Sequence, residues 1–342
     1  MQAVRIHDYN QPLKYEQVPD PKITNPYDVI IKVAGAGVCR TDLHIIESIW
    51  KESLGDPTLP FIIGHENSGW VQDKGEAITN LSIGDPVILH PLISCGICRA
   101  CREGNDMHCV AGKFPGLDGT DGGYAQYMKT SARSVVKLEP GVDPISLAPF
   151  ADAGITAYHA VKKIIPLTYP GSVAVVIGLG GLGHFAVQLL KQMTTAKVVV
   201  VDSSSQRGDF ARELGADLFI SSNPVKELLD YTHGQGADVV LDFVGEKDTP
   251  KQGIEMTRKG GTYSIIGYGG NVSPTTLEMI SREINIVGNL VGTYNDLVEL
   301  MELYHQGKVH ITSQQFPLKD AQEVLDKLNN GQILGRAVLK PW

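Results

Sequence analysis

The stretch 171–202, GSVAVVIGLGGLGHFAVQLLKQMTTAKVVVVD, constrains this chain more than any other. Val173 to Ile177 is a short β-branched run of the kind that forms a strand buried on both faces. Gly178, Gly180 and Gly183, with Gly181 and Leu182 between them, then give GxGxxG. Beyond the turn, Leu182, Phe185, Ala186, Leu189, Leu190 and Met193 recur at three- and four-residue spacing, which predicts a helix with one apolar stripe. Lys197 to Val201 reads as a second strand and closes on Asp202. Such an order lets the backbone approach a pyrophosphate and sets unpaired N–H groups and the positive end of a helix dipole against its charge. An acidic side chain about 20 positions further on can accept from ribose hydroxyls. The segment therefore predicts a dinucleotide site. Two other readings compete, a glycine loop serving only packing and a membrane span over Val173 to Leu190. Four glycines, His184 and Gln188 interrupt that span, and no basic flank follows it.

The α/β alternation continues through expected strands near Asp217 to Ile220, Asp238 to Asp242, Gly261 to Ile266 and Ile284 to Gly288, with helices at Gln206 to Leu214 and Thr249 to Arg258. Six strands so arranged predict a doubly wound parallel sheet. Residues 1 to about 90 differ in texture: they are dense in Pro, Gly and Val, with short runs such as Val29 to Val33 and Ser68 to Val71, as in a small β-rich domain. A helix is expected within 143–158, and the tail from Asn295 holds two amphipathic helices and a last strand, Arg336 to Lys340. A chain of 342 residues has room for two such domains. Its net charge of −8 argues against nucleic-acid and anionic-membrane partners. The first ten residues, MQAVRIHDYN, lack an apolar signal core, so a cytoplasmic location is expected.

Four of the five cysteines, Cys95, Cys98, Cys101 and Cys109, lie in one short run. In a reducing compartment such clustering points to metal rather than disulfides. Four thiolates around one Zn2+ leave no open position, which makes the site structural. His108 could compete as a ligand, but the adjacent Cys109 favours a solvated or capping role for it. Cys39 stands apart, beside Arg40 and Asp42. A lone cysteine commonly packs in a core. Together with His65 and Asp152, however, it would give Zn2+ three ligands and leave one position open, as a catalytic zinc requires.

The chain resembles the zinc-dependent medium-chain alcohol dehydrogenases. The resemblance is carried by GVCRTDLH at 37–44, GHE at 64–66, the cysteine lobe at 95–109, ADAGITAYHA at 151–160, GLGGLG at 178–183 and GRAV at 335–338. It implies an α/β protein in which a Rossmann domain, 153–290, is joined to a β-rich GroES-like catalytic domain, 1–152, carrying a structural zinc lobe at 91–112. The return segment 291–342 completes the catalytic domain. Cys39, His65 and Asp152 resemble the catalytic zinc ligands, and Glu66 a carboxylate able to approach the metal. Thr41 resembles the hydroxyl that takes the substrate's proton, His44 the imidazole that ends the relay, and Asp42 the carboxylate that orients His65. Arg40 and Arg336 resemble a pyrophosphate-binding pair. Thr156, Phe243, Gly267 and Leu290, the last in the 289–291 turn, fall among the family's cofactor contacts.

The resemblance further implies NAD, two zinc ions per chain, a small alcohol or carbonyl substrate and a homotetramer whose sheets pair at the Ile284 to Gly288 edge. Asp202 favours NAD over NADP because it repels a 2′-phosphate, a preference that Arg207 would partly offset. Asp152 departs from the commonest pattern, in which cysteine stands there. The alternative is Glu66 as third ligand, as in the polyol-dehydrogenase branch. Ile46, Ile49, Trp50, Phe114 and Leu117 suit an apolar alcohol pocket, against the alternatives of a polyol or sugar dehydrogenase and a non-catalytic nucleotide-binding protein.

Overall fold

The structure, a computed structural model, describes residues 1–49, 51 and 57–342. Trp50 therefore lies outside the described residues. The chain divides into two compact units. Unit 1 comprises Met1–Ile155, Thr293–Glu302 and Ile311–Trp342; unit 2 comprises Thr156–Gly292 and Leu303–His310.

Unit 1 is built around one long strand, Asp28–Val38, whose hydrophobic residues are all buried. It pairs antiparallel with Glu66–Lys74, Tyr127–Ser131 and Arg336–Lys340. Pro86–Leu89 and Val135–Lys137 extend the sheet on one side and Ser313–Pro317 on the other. A three-stranded sheet, Lys14–Gln17, Gln2–Ile6 and Phe61–Ile62, shares its core, which includes Val29, Ile31 and Val33 along with Ile6, Phe61, Ile63 and Tyr124. Strand register draws distant residues together. Gly37 lies opposite Glu66 and Val38 opposite Ala337. Cys39 leaves the central strand where His65 enters one neighbour and Arg336 opens the other, so three distant pieces of sequence end at one place.

Unit 2 is a six-stranded parallel sheet in the order Leu218–Ile220, Lys197–Val201, Val173–Ile177, Ala237–Asp242, Thr257–Ile265, Asn285–Gly288. The order reverses beside Val173–Ile177, where Val175 pairs with Val199 on one side and Val240 on the other, all fully buried. Each such valine contributes about 1.5–3 kcal/mol by leaving water. The Leu303–His310 segment stays with this unit through Gln188, whose amide donates to the His310 carbonyl at 3.0 Å and accepts its N–H at 2.8 Å.

Several elements differ from expectation. The stretch 143–158 is a 3-10 helix, Ile145–Ala151, followed by a separate α-helix, Ala153–Ile164. Pro149 has no N–H to donate, and Asp152 (φ −131°, ψ −61°) breaks the chain between the two. The helix expected to reach Arg258 ends at Met256. Thr257 opens the next strand, and the Arg258 guanidinium is held by Asp238 at 2.7 Å. Among the described residues, no helix is long and apolar enough to cross a membrane.

Candidate metal and dinucleotide sites

The thiols of Cys95, Cys98, Cys101 and Cys109 gather at one point. Cys98 and Cys101 sulfurs are 3.5 Å apart, those of Cys95 and Cys101 4.0 Å. A tetrahedral zinc–thiolate centre with bonds of about 2.3 Å has sulfur–sulfur edges of about 3.8 Å, so the lobe fits that ion. Backbone N–H groups of Cys101 and Val110 lower the Cys98 thiol to about 6, which prepares it to bind as thiolate. Cys101 is pushed the other way, to about 12, by burial and by its bond to Cys98.

The second group is buried and assembled from afar. Cys39 caps the helix Arg40–Ile46. Its sulfur lies 3.7 Å from Asp152 Oδ2, and His65 Nε2 lies 3.4 Å from the same oxygen. Zinc with sulfur, nitrogen and oxygen ligands would set these edges at about 3.3–3.6 Å. Glu66 also offers an oxygen within 4.8 Å of the set. Its Oε1, however, is bonded to Arg336, and its Oε2 fills the space over Gly37, where a Cβ would lie 1.9 Å away. Asp152, which bridges Cys39 and His65, is the better third ligand.

The electrostatics of this pocket favour a cation. Burial opposes a charged His65, yet Asp42, Asp152 and Cys39 outweigh it and hold the imidazole well above its ordinary pKa. Burial likewise opposes the Asp152 carboxylate, and His65 and Arg336 overcome that and keep its pKa low. Glu66 is different: burial raises it to about 7 even against the pull of Arg336.

The helix Arg40–Ile46 brings the other predicted residues. Asp42 Oδ2 accepts the Cys39 N–H at 2.9 Å, and Oδ1 faces His65 Nδ1 at 3.3 Å. Thr41 and His44, three positions apart, share a helix face and are both buried. Arg40 is exposed. Arg336, expected to share the pyrophosphate with it, is 4% exposed and bonds Glu66 through Nη2, which leaves other N–H groups of its guanidinium outside that bond. Of the apolar residues, Phe114 sets its ring edge-on to His65 at 6.2 Å. Ile46 packs into the unit 1 core with Leu117 against it, and Ile49 is exposed.

The glycine turn of unit 2 uses each glycine differently. Gly178 has φ +90°, a conformation side chains resist. A Cβ on Gly183 would sit 1.8 Å from the Gly178 carbonyl, so helix and strand can close only on glycine. A Cβ on Gly180 would meet nothing within 4 Å, leaving its backbone open to a ligand. Gly181 and Leu182 complete the turn and are partly exposed. Asp202 Oδ2 accepts Leu179 N–H at 2.7 Å and Arg207 at 2.8 Å, while Oδ1 accepts Ser204 N–H at 2.9 Å. Nearby, the Phe243 N–H bonds Ile177 at 3.0 Å, and Gly267 packs directly on Val244. Thr156 is buried, its carbonyl accepting from Asn289 at 3.4 Å, and Leu290 is 54% exposed. These residues fit a dinucleotide bound along the turn.

Two features are not visible in the sequence motifs. The Glu66–Arg336 pair depends on strand register, which no motif encodes. Tyr124 stands in Gly122-Gly123-Tyr124, and those glycines are the available signal. A Cβ on Gly123 would strike Asn67 at 1.6 Å and one on Gly122 the Gly64 carbonyl at 2.3 Å, so the segment lies tight against the one that carries His65.

Comparison with known proteins assigns both units to the zinc-binding dehydrogenases. Residues 181–306 match the family model described as zinc-binding dehydrogenase, and residues 25–140 that of the alcohol dehydrogenase GroES-like domain. The crystal structure of an alcohol dehydrogenase from Aeropyrum pernix superposes with a TM-score of 0.97, at 45% identity over 100% of both chains. An NAD-dependent alcohol dehydrogenase of Sulfolobus acidocaldarius is 34% identical over 99% of each chain. A D-arabinose 1-dehydrogenase (NADP(+)) of Saccharolobus solfataricus is 32% identical over 99% of this chain and 97% of its own. The chain belongs to the zinc-type medium-chain alcohol dehydrogenase family.

Proposed function

We propose that this protein is a zinc-dependent, NAD-linked alcohol dehydrogenase that interconverts primary or secondary alcohols with aldehydes or ketones. The observation that carries the reading is the convergence of Cys39, His65 and Asp152 on one buried point, with Thr41 and His44 on the helix that Cys39 caps. A zinc ion held by those three ligands would supply the positive charge that makes an alcohol oxygen a stronger acid. Thr41 Oγ accepts the hydroxyl proton while donating its own, and His44 passes a proton on toward solvent. A bound nicotinamide would supply the acceptor for the carbinol hydrogen and its electron pair, so that alcohol and NAD+ would give carbonyl, NADH and a proton. Gly178 to Gly183 and Asp202 bind the dinucleotide. Arg40, Arg207, Thr156, Phe243, Gly267 and Leu290 are proposed as further contacts.

Two zinc ions per chain agree with the two ligand groups. A cytoplasmic setting agrees with five free cysteines. A homotetramer is supported by the edge strand Asn285–Gly288 and by the exposed Leu277 and Ile280 on the neighbouring helix in sequence. The D-arabinose dehydrogenase relative supports a second reading, oxidation of a sugar or polyol. Phe114 beside His65 favours the less polar substrate.

The test is NADH formation from primary alcohols, secondary alcohols and polyols, with zinc per chain measured on wild type and Asp152→Ala. Wild type is expected to hold two zincs and oxidise simple alcohols, and the variant to hold one and lose turnover. Retention of both metals and activity in the variant would return Glu66 to the ligand set. Turnover of polyols alone would establish the second reading.

A further inference from the structure

Tyr124 is fully buried in unit 1 and belongs to neither ligand set nor to the proton relay. Its hydroxyl donates to Asp42 Oδ2 at 2.8 Å. That same oxygen accepts the Cys39 N–H, so two donors converge on it and Asp42 Oδ1 is left turned toward His65 Nδ1. The phenol itself is firmly placed: the Tyr124 N–H bonds the Ile63 carbonyl at 3.0 Å, and its carbonyl accepts the Val4 N–H at 2.8 Å. Its ring lies against Gly64, the residue before His65, where a Cβ would come within 2.1 Å of Cδ1. Gly64 also has φ +97°, so backbone shape and ring contact both require glycine there. Burial, and then the charge of Asp42, hold the phenol well above its ordinary pKa and keep it a donor.

We propose that Tyr124 is a positioning residue for the metal pocket: its hydroxyl fixes the Asp42 carboxylate, which sets the His65 ring so that Nε2 faces the metal. The ring of Tyr124 supports the same imidazole a second way, through the backbone at Gly64. Asp42 is fully buried, and removing the hydroxyl leaves its Oδ2 with one donor fewer where no solvent reaches. The proposal rests on the metal-dependent reading of the Cys39, His65 and Asp152 pocket.

Tyr124→Phe keeps the ring against Gly64 and deletes only the donor. The experiment follows zinc transfer to a chromogenic chelator from wild type, Tyr124→Phe, Asp42→Asn and the double variant, together with the visible spectrum of each after cobalt(II) substitution. Tyr124→Phe is expected to hold the pocket metal about tenfold more weakly. The four-cysteine metal should leave at the wild-type rate, and the cobalt bands of the pocket should shift. In the Asp42→Asn background the same substitution should add nothing, since the hydroxyl acts through that carboxylate. Wild-type metal retention and spectrum in Tyr124→Phe would overturn the proposal, as would additive effects or parallel loss of both metals. A wild type that holds metal only in the four-cysteine lobe would instead remove the metal-dependent reading on which the proposal rests.

Discussion

The two groups of unit 1 that could hold a metal ion are built in opposite ways. The cysteine lobe draws its thiols from one short run, leaves them half-exposed and lowers the Cys98 thiol with the lobe's own amides. The Cys39, His65 and Asp152 pocket joins residues up to 113 positions apart, buries all of them, and backs each with the core. Asp42 stands behind both Cys39 and His65, and Arg336 lies among the carboxylates. A closed site needs only to hold its ion, and a loop can do that. An open site must fix three directions while leaving a fourth free, so its rigidity has to come from the fold.

Four substitutions would break or sharpen that contrast. The largest effect is expected from Cys39→Ala. One zinc should be lost and kcat/KM should fall on the order of 10³-fold or more, because several kcal/mol of charge stabilisation disappear. Steady-state rates with metal analysis check this, and turnover surviving loss of that metal would make the pocket something other than the reacting centre.

Cys98→Ala should act on stability instead, lowering it on the order of 5 kcal/mol as the lobe's ion is lost. Turnover per folded molecule should persist below the unfolding transition. Denaturation curves paired with rates on the same samples decide it, since matching losses in both would erase the distinction between the sites.

Arg336→Met should cost about 3 kcal/mol, the low end for breaking a buried pair, because Glu66 can escape by taking a proton. The escape also gives the pH effect its sign. Without the guanidinium the Glu66 pKa rises above its present value of about 7, while the unfolded chain keeps about 4.5. Native variant then binds a proton that the unfolded chain has released, so its stability falls as pH rises through that window. Wild-type Glu66 holds the same proton below about pH 7, so the variant should lose ground to wild type only above it. Denaturant midpoints from about pH 5 to 9 measure this, and a difference that stays flat throughout would locate the cost elsewhere.

The smallest effect is expected from Asp152→Cys. A thiolate gives the metal more charge than a carboxylate does, so the alcohol becomes a weaker acid. The pH–rate profile should move upward by about one unit or less with both zincs retained. Movement to lower pH would reverse that assignment of charge.

The legibility of these parts tracks how local they are. The glycine turn and the cysteine lobe can be read directly, because spacing along a few residues sets the geometry. The strands of unit 2 are also accessible, since each is a separate buried run between helices. The Ser313–Pro317 strand is not. Its sequence, SQQFP, lacks alternation and is at best half-buried, and only its parallel pairing with Arg336–Lys340 defines it. The break at Asp152 is hidden because an apolar, alanine-rich stretch resembles one continuous helix until Pro149 is given weight. Resemblance alone puts Arg336 on pyrophosphate. Its bond to Glu66 depends on the pairing of three strands, which are brought together only by folding.

The helix Arg40–Ile46 has a consequence for how this protein can change. A ligand, an orienting carboxylate, a hydroxyl and an imidazole all come from the run Cys39 to His44. Inserting or deleting one residue there would turn everything beyond it by about 100° and scatter the set. That short run therefore tolerates a change of length less than a conservative substitution. The cysteine lobe takes its four ligands from 95–109, so the stretches outside those ligands can change with less effect on the set, although Asp106 within it still accepts the Tyr294 N–H from far along the chain.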